Sequence, residues 1–294
     1  MLTGLRIVVL GGDARQLEVI RRCAELDASV SIVGFDTLQQ IPDGAVKEEL
    51  SEHLLTSADV VILPVVGCDD EGYIQAKYAT EGTVLQLTPE LAGALPVHSS
   101  VYTGIAKPYL KDLCSNHNLR LVELLERDDV AIHNSIPTAE GAIMIAIQNT
   151  DFTIHNSVAL VLGMGRTGFT MAKTLQGLGA DVRVSVRREE DAAKASVMGL
   201  KPFLTRDLAN YAGEADLIFN TIPSMIITAQ ILSKMKPKSF IIDLASAPGG
   251  TDFRYAEKRG IKAMLAPGLP GIVAPKTAGE IIANSIVSLL LCDQ

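Results

Sequence analysis

Aromatic residues are scarce in this 294-residue chain: they make up 4% of it, and tryptophan is absent. Aliphatic side chains must therefore fill the core, which suits an α/β protein better than an aromatic binding surface. Basic residues are not in excess either, and the formal net charge is -8. This balance argues against a nucleic-acid partner, because phosphate backbones require a basic face. A small anionic substrate is still allowed, since a local pocket can be positive on an acidic protein.

Cysteines, histidines and long apolar runs are also few. No two of the 4 cysteines are spaced as C-x-x-C, and the 5 histidines have no metal-ligand spacing, so neither a disulfide frame nor a metal site is expected. The N-terminus lacks the basic region and the cleavage site of a signal peptide, and residues 281–291 are too short an apolar run to cross a bilayer. The sequence therefore predicts a cytoplasmic protein with reduced thiols and no membrane segment.

The most informative segment that is present is a glycine-rich turn in the second half. Residues 158–162 are apolar and strand-like, residues 169–178 have a helical pattern, and residues 181–186 form the next predicted strand. The first glycine of such a turn allows a tight bend, the second lets the backbone approach a pyrophosphate, and the third lets the helix pack on the strand. The segment predicts a dinucleotide cradle formed by Gly163, Met164, Gly165, Arg166, Thr167 and Gly168.

Two arginines follow the second strand of this predicted domain, where NAD-dependent enzymes usually place an acidic residue about 20 residues beyond the glycines. Arg187 and Arg188 can instead bind a 2'-phosphate through charge-assisted, bidentate hydrogen bonds, so the sequence favours NADP(H) over NAD. Two alternatives stay open. Either the pair belongs to a solvated turn, or one of the acidic residues 189–191 folds back onto the ribose and favours NAD.

The first half of the chain repeats the pattern with a poorer turn. Gly11 and Gly12 are followed by no third glycine, and Asp13 stands where a pyrophosphate would approach. Asp36 occupies the place of a ribose-binding acid, so this half is either a second nucleotide site or a doubly wound domain that binds something else. A helix is expected over residues 15–26, and a five-stranded parallel sheet is expected from strands over residues 5–10, 29–35, 60–66, 82–87 and 119–124.

Two helices are expected to connect the halves. Pro137 suits the first turn of an apolar helix that runs through residues 141–149, and Glu140 suits the field at its N-terminus. This N-terminus is expected to point into the cleft between the domains. Thr277 and Glu280 form a capping-box pattern, which predicts a final helix that follows a Pro/Gly-rich loop and crosses back to the first domain.

Two further strands are predicted to end at Asn220 and Asp243. Ligands of doubly wound sheets bind beyond the carboxyl ends of the strands, so the loops that follow should border the nicotinamide. The cofactor contacts expected there are Thr221, Ile222, Pro223 and Asp243.

Together, these patterns predict an α/β protein with two doubly wound parallel-sheet, Rossmann-like domains. Residues 1–132, joined by the helix 277–294, form the expected N-terminal substrate or catalytic domain. Residues 133–276 form the expected NADP-binding domain.

Five motifs resemble those of the A subunits of bacterial dipicolinate synthases, and the resemblance covers nearly the whole chain. The resemblance implies a sporulation enzyme in the mother-cell cytoplasm, which works with a flavoprotein-like B subunit; a homo-oligomer is also expected. The implied reaction is the oxidation, with NADP+, of a dihydro- or hydroxy-tetrahydrodipicolinate intermediate of lysine biosynthesis to pyridine-2,6-dicarboxylate. The motifs are the glycine-rich turn and residues 134–141, 220–224, 248–253 and 266–279.

The implied reaction needs a hydride acceptor, a base for a ring proton and cations for two carboxylates. His133 and Glu140 are the candidates for proton transfer, because both titrate near useful values when partly buried. The alternatives to these assignments are a hydrogen-bonded structural histidine, helix-capping hydroxyls and solvated lysines. The candidates for substrate binding are Lys107, Ser135, Thr138, Ser246 and Lys276.

More distantly, the layout is similar to that of D-2-hydroxyacid dehydrogenases and alanine dehydrogenase. Hydroxyacid dehydrogenases carry an arginine in the loop after the strand that here ends at Asp243, and a histidine in a later loop. This chain has Ser246 in the first loop and no histidine beyond His155, which argues against the hydroxyacid mechanism. Because few acid or base groups are convincing, the alternative function is a nucleotide-binding regulatory or scaffold subunit whose partner performs the chemistry.

Overall fold

The structure, a computed structural model, describes residues 1–292, and the chain divides into two compact units. Unit 1 consists of Met1–Ala131 and Ala274–Gln294, and unit 2 consists of Ile132–Val273. Each unit contains one 6-stranded sheet, and all the strand pairs are parallel. The predicted class, an α/β protein with two doubly wound sheets, is confirmed.

The sheet of unit 1 has the strand order β3-β2-β1-β4-β5-β6. In β1, Ile7 and Val9 belong to one buried cluster while Val8 and Leu10 belong to another, so both faces of the sheet are covered and the strand is apolar throughout. The strands are β1 (Arg6–Leu10), β2 (Ser29–Val33), β3 (Ala45–Lys47), β4 (Val60–Ile62), β5 (Ser100–Thr103) and β6 (Arg120–Glu123), and the helices are α1 (Ala14–Glu25), α2 (Glu52–Leu55), α3 (Pro89–Gly93) and α4 (Pro108–Asn116).

The prediction of a strand over residues 82–87 is wrong, and the predicted sheet lacked β3 and β5. Residues 82–87 pair with the segment just before them instead: Ile74 donates to the carbonyl of Leu85 at 2.8 Å, and Leu87 donates to the carbonyl of Gly72 at 2.9 Å. The apolar residues Leu85 and Leu87 are buried against one face of the sheet rather than within it. A buried apolar run alone does not distinguish these two arrangements.

Unit 2 has the strand order β12-β11-β10-β7-β8-β9, which repeats the order of unit 1. Counted within each unit, both orders read 3-2-1-4-5-6, the arrangement of dinucleotide-binding domains. The helix α5 (Asp128–Asn149) leads into this unit, and the elements that follow are β7 (Val158–Leu162), α6 (Arg166–Gly177), β8 (Asp181–Val186), α7 (Glu189–Val197), β9 (Lys201–Leu204), α8 (Leu208–Tyr211), β10 (Leu217–Asn220), α9 (Ala229–Leu232), β11 (Phe240–Asp243), α10 (Phe253–Lys258), β12 (Lys262–Leu265) and α11 (Leu269–Val273).

The predicted start of the connecting helix is wrong, because α5 begins 13 residues before Gly141, at Asp128. Pro137 therefore lies in the helix interior and not in its first turn, and Glu140 is far from the N-terminal field. Acidic residues at 128 and 129 occupy the true first turn, where their charge complements the positive end of the helix dipole. By length and composition, α5 is the one helix within residues 1–292 that could cross a membrane, but its alanines at 139, 142 and 146 are fully buried in the core of unit 2.

The last helix, α12 (Pro275–Cys292), belongs to unit 1. It begins at Pro275, so Thr277 and Glu280 lie inside the helix, and the prediction of a capping box there is wrong. A proline is favoured in the first turn because the missing N–H would have no partner there. The helix packs closely on α1: a Cβ on Gly279 would lie 2.5 Å from the carbonyl oxygen of Arg15.

Candidate functional site

The glycine-rich turn joins β7 to α6, and its glycines differ in what they allow. Gly163 has a φ of 94°, and a Cβ there would lie 2.7 Å from Thr221 Oγ1. A Cβ on Gly168 would collide with the carbonyl of Gly163, so the helix packs directly on the turn. Gly165 is different, because a Cβ there would meet no atom within 4 Å. The protein leaves the space in front of Gly165 open, which fits the approach of a ligand.

The N-terminus of α6 faces this turn without a side-chain cap. Gly165 is the N-cap residue, and it offers no side chain to the first-turn N–H groups. These groups have no partner within a helix, and the helix dipole adds partial positive charge at the same place. An uncapped helix N-terminus behind a glycine turn is a binding site for a phosphate group.

A pocket of about 640 Å³ lies beside the turn and brings together most of the predicted cofactor residues. Arg166, Thr167 and Gly168 do not line it; they form the first turn of α6. Prediction from the sequence did not include Ser185 and Thr205, whose hydroxyls also face this pocket. The predicted residues that do line it are Gly163, Met164, Gly165, Arg187, Arg188, Thr221, Ile222 and Pro223.

The two arginines at the end of β8 have different surroundings. Arg188 pairs with Glu190 at 2.6 Å and with Asp191 at 3.1 Å, and these contacts raise the pKa of its guanidinium. Arg187 is exposed, and its side chain makes no hydrogen bond or ion pair with any of residues 1–292. Arg187 is therefore the cation of the pair that is available to an anionic ligand. The acidic residues 190 and 191 are engaged with Arg188.

The hydroxyls of Ser185 and Thr205 connect the pocket to the glycine turn. Thr205 Oγ1 donates to the carbonyl of Val186 at 3.0 Å and lies 3.3 Å from Ser185 Oγ. Ser185 Oγ accepts in turn from the N–H of Gly163 at 3.2 Å. A serine in an otherwise apolar buried strand was the sequence signal for this contact, since a buried hydroxyl needs a partner.

Asp243 does not contact the cofactor pocket, and its prediction as a direct cofactor residue is wrong. Its carboxylate is completely buried and accepts four hydrogen bonds at 2.7–3.1 Å. The donors belong to the two loops that follow β10 and β11, and they leave no oxygen facing a ligand. These donors are Asn220 Nδ2, Thr251 Oγ1 and the N–H groups of Ala245 and Gly250.

The candidate residues of α5 are placed differently from the prediction. His133 and Glu140 are exposed, and neither side chain makes a hydrogen bond with any of residues 1–292. Ser135 is 1% exposed and its Oγ lies 2.6 Å from both Ile132 O and Thr170 Oγ1, so its prediction as a substrate ligand is wrong. Thr138 is half-buried and donates to the carbonyl of Asn134 at 2.8 Å, a bond within the helix rather than a cap.

The remaining candidates for substrate binding are exposed. Lys107 precedes α4 in unit 1, and its Nζ lies 3.5 Å from Asp70 Oδ2. Lys276 lies in the first turn of α12 with an exposed side chain. Ser246 lies in the loop after β11 in unit 2, where its carbonyl accepts from Gly249. No group of three or more potential metal ligands occurs within residues 1–292.

The corresponding turn of unit 1 is closed. Asp13 caps α1 by accepting from the N–H of Arg15 at 3.0 Å, and it also pairs with the Arg15 guanidinium at 2.7 Å. Burial raises the pKa of Asp13, but the hydrogen bonds and charge of Arg15 outweigh burial and leave the pKa lowered. The N–H of Gly12 donates to the carbonyl of Gln75 at 2.6 Å, and Asp36 accepts from Thr80. The alternative of a nucleotide site in this half is therefore not supported.

Comparison with known proteins agrees with this division. Residues 6–125 match the family of N-terminal domains of the dipicolinate synthase A subunit, and residues 133–248 match the NAD binding domain of the D-isomer specific 2-hydroxyacid dehydrogenases. The similarity to dehydrogenase domains supports an oxidoreductase fold with a nicotinamide dinucleotide site in unit 2.

Individual relatives cover the whole chain. The dipicolinate synthase A subunit of Bacillus subtilis is 51% identical over 290 residues, which are 99% of this chain and 97% of the relative. The crystal structure of the dipicolinate synthase A subunit from Bacillus halodurans superimposes with a TM-score of 0.96 at 48% identity, covering 99% of both chains. L-alanine dehydrogenase, at 16% identity and a TM-score of 0.64 over 99% of this chain and 90% of its own, shares the fold.

The match of residues 6–125 to the N-terminal domain family and the full-length identity to the Bacillus subtilis protein lead to one conclusion: this chain belongs to the family of dipicolinate synthase A subunits.

Proposed function

We propose that the chain oxidises a dihydro- or hydroxy-tetrahydrodipicolinate intermediate to pyridine-2,6-dicarboxylate, with NADP+ as the acceptor. From the dihydro compound, the ring loses one hydride and one proton, and the hydroxylated tetrahydro compound also loses one water. Aromatisation of the ring supplies driving force, so a strong catalytic base is not required. The reaction would serve sporulation by diverting an intermediate of lysine biosynthesis.

The observation that carries the choice of NADP(H) is the unpaired guanidinium of Arg187 in the same pocket as the glycine turn. A guanidinium binds a 2'-phosphate through paired hydrogen bonds, whereas a carboxylate at this place would repel it. The acidic residues that would favour NAD are held by Arg188. The arrangement therefore fits a phosphorylated ribose better than a free 2'-hydroxyl.

The open space at Gly165 fits the pyrophosphate of the same cofactor. When bound, the nicotinamide ring would supply the acceptor for the hydride. Thr221, Ile222 and Pro223 follow β10 and line the pocket on the side where ligands of doubly wound sheets bind. These side chains would orient the dinucleotide and exclude water from it.

Substrate binding is assigned to unit 1 together with the loop that carries Ser246. Lys276, in the first turn of α12, would bind a substrate carboxylate with help from the helix N-terminus. Lys107 is a weaker candidate because its Nζ already pairs with Asp70. His133 and Glu140 would accept the ring proton, since their exposed side chains are free to rotate toward a substrate.

The designation of these relatives by the letter of one subunit implies a partner, and we assign that place to a flavoprotein-like B subunit. A homo-oligomer in the mother-cell cytoplasm completes the proposal. Residues 1–132 with the helix 277–294 would form the substrate domain, and residues 133–276 would form the NADP-binding domain.

The test is to supply the purified chain with NADP+ and the lysine-pathway intermediate. The expected result is NADPH together with a product that absorbs as an aromatic pyridine. The second candidate, a regulatory or scaffold subunit, is favoured by the lack of hydrogen-bonded partners at His133 and Glu140 among residues 1–292. Tight NADPH binding without product, with product appearing only when the B subunit is added, would establish that alternative instead.

A further inference from the structure

We infer that Asp243 is a positioning residue that holds two loops of unit 2 in the shape that the dinucleotide requires. The wall loop comprises residues 221–226 after β10, and the second loop comprises residues 244–251 after β11. Asp243 touches neither the pocket nor its contents, so it acts through Asn220 and Gly250. The inference rests on the proposal that this pocket binds the cofactor.

The first connection runs through the side-chain amide of Asn220. An ionised carboxylate can only accept hydrogen bonds, so Asp243 Oδ1 forces the nitrogen of that amide to face it, at 2.9 Å. With the amide fixed, Asn220 Nδ2 also donates to Ile222 O at 3.1 Å, and Asn220 Oδ1 accepts from Ile222 N at 3.1 Å. The backbone of Ile222, which lines the pocket, is therefore held in both directions by one oriented amide.

The second connection runs through the backbone of Gly250. Its N–H donates to Asp243 Oδ2 at 2.8 Å. Its carbonyl accepts from Ile226 at 3.0 Å and from Ile227 at 2.9 Å, so the end of the wall loop is fastened to the second loop. A Cβ on Gly250 would lie 2.6 Å from both Asn220 Nδ2 and Ile222 O, which leaves no room for the loops to shift.

Both connections depend on a carboxylate that has no remaining capacity for a ligand. Thr251 Oγ1 supplies the shortest of its four hydrogen bonds, at 2.7 Å, and Thr251 is 2% exposed. Thr251 does not line the pocket. Removing its hydroxyl would therefore disturb Asp243 without altering any surface that the cofactor touches.

The test compares Thr251→Val, which keeps the side-chain shape without the donor, with Thr251→Ser, which keeps the donor. Loss of a hydrogen bond to a charged group predicts that Thr251→Val raises the Kd for NADPH about tenfold, while Thr251→Ser stays close to the wild type. Calorimetry suits the titration, because the chain has no tryptophan for fluorescence. Amide hydrogen exchange should become faster in residues 221–226 and 244–251 of the Val variant alone.

Ser239→Ala is the matched control for a loss of stability. Ser239 is 1% exposed, lies just before β11 at the opposite end of that strand from Asp243, and donates to Ala215 O at 2.7 Å. Its removal should lower the Tm but leave the Kd for NADPH unchanged. Asp243→Asn, which places an amide donor among N–H and O–H donors, should raise the Kd at least as much as Thr251→Val.

The inference is overturned if Thr251→Val binds NADPH like the wild type, or if Ser239→Ala raises the Kd equally at the same loss of Tm. The cofactor proposal still stands in both cases, because the wild type binds. A wild-type chain that binds neither NADPH nor NADH overturns both. If Asp243→Asn does not fold, the pair of Thr251 variants decides the question by itself.

Discussion

The two units share one strand order, but the turns after their first strands differ in what meets the helix N-terminus. In unit 1, Asp13 brings a carboxylate to the first turn of α1, and Gln75 covers Gly12. In unit 2, the corresponding helix has no side-chain cap and Gly165 faces open space. One helix is supplied with an anion by its own chain, and the other is left to take one from a ligand. Strand order alone therefore does not make a nucleotide site.

Filling the open turn should have the largest effect. Gly165→Val is expected to raise the Kd for NADPH by about 100-fold or more, since a branched side chain would occupy the place of the pyrophosphate. The fold should be retained, because the added Cβ meets no atom within 4 Å and the φ of -83° is suitable for any L residue. Calorimetric titration with NADPH measures the binding, and circular dichroism checks the fold.

Gly177→Val is the matched control for this substitution. Gly177 lies at the other end of α6, and a Cβ there also meets nothing within 4 Å. It should affect helix stability and leave the Kd for NADPH unchanged. An unaltered NADPH titration in Gly165→Val would mean that unit 2 is no more a phosphate cradle than unit 1.

The second prediction concerns the arginines, for which unit 1 has no counterpart at the end of β2. Arg187→Ala should raise the Kd for NADPH by about tenfold, or ~1.4 kcal/mol, while NADH binding stays nearly unchanged. Arg188→Ala should have a smaller effect, because Arg188 already pairs with Glu190 and Asp191. Both dinucleotides are titrated into both variants. Equal losses for NADPH and NADH in Arg187→Ala would contradict the assignment of a 2'-phosphate site.

The sequence predicted unit 2 better than unit 1 for a physical reason. The strand over residues 158–162, the strand over residues 181–186 and the glycine turn are local patterns, and the structure places all three as expected. In unit 1, the turn is closed by residues around Gln75, which are distant in sequence. No local pattern announces such a contact.

The errors in the predicted site have the same origin. Pro137 usually marks a helix start, but in α5 the burial of Ala139 and Ala142 in the core continues the helix through it. Asp243 follows an apolar strand just as a ligand-binding acid would, yet its donors come from Asn220 and Thr251. Residue type and position at a strand end indicated a functional place, but the direction of the side chain depended on tertiary contacts.

The third prediction tests whether unit 1, with its own turn closed, serves the substrate instead. Lys276→Ala should raise the KM for the substrate by about fivefold with little change in kcat, as expected for loss of one exposed charge-assisted contact. Lys107→Ala is the comparison, and it should change the KM less because Lys107 pairs with Asp70. The Kd for NADPH should not change in either variant. Wild-type kinetics in Lys276→Ala would reduce Lys276 to a surface charge.

The smallest effect on the cofactor is expected from the cap of unit 1. Asp13→Ala should lower the free energy of unfolding by about 1 kcal/mol, the usual cost of losing an N-cap. Asp13→Asn should cost less, because an asparagine can still accept from the N–H of Arg15. Neither variant should change the Kd for NADPH. A gain of dinucleotide binding by unit 1 in Asp13→Ala would show that the carboxylate alone separates the two turns.

The pH dependence of the same variants isolates the charge of Asp13 from its cap. The pKa of Asp13 is lowered in the folded protein, so its charge stabilises the fold above the unfolded pKa of about 3.9. That contribution is lost as the pH falls through the still lower folded pKa. The difference in unfolding free energy between the wild type and Asp13→Asn should therefore be constant near neutral pH and shrink below about pH 4. Urea unfolding at pH 7 and pH 3 measures it, and a difference that grows in acid would contradict an ionised cap.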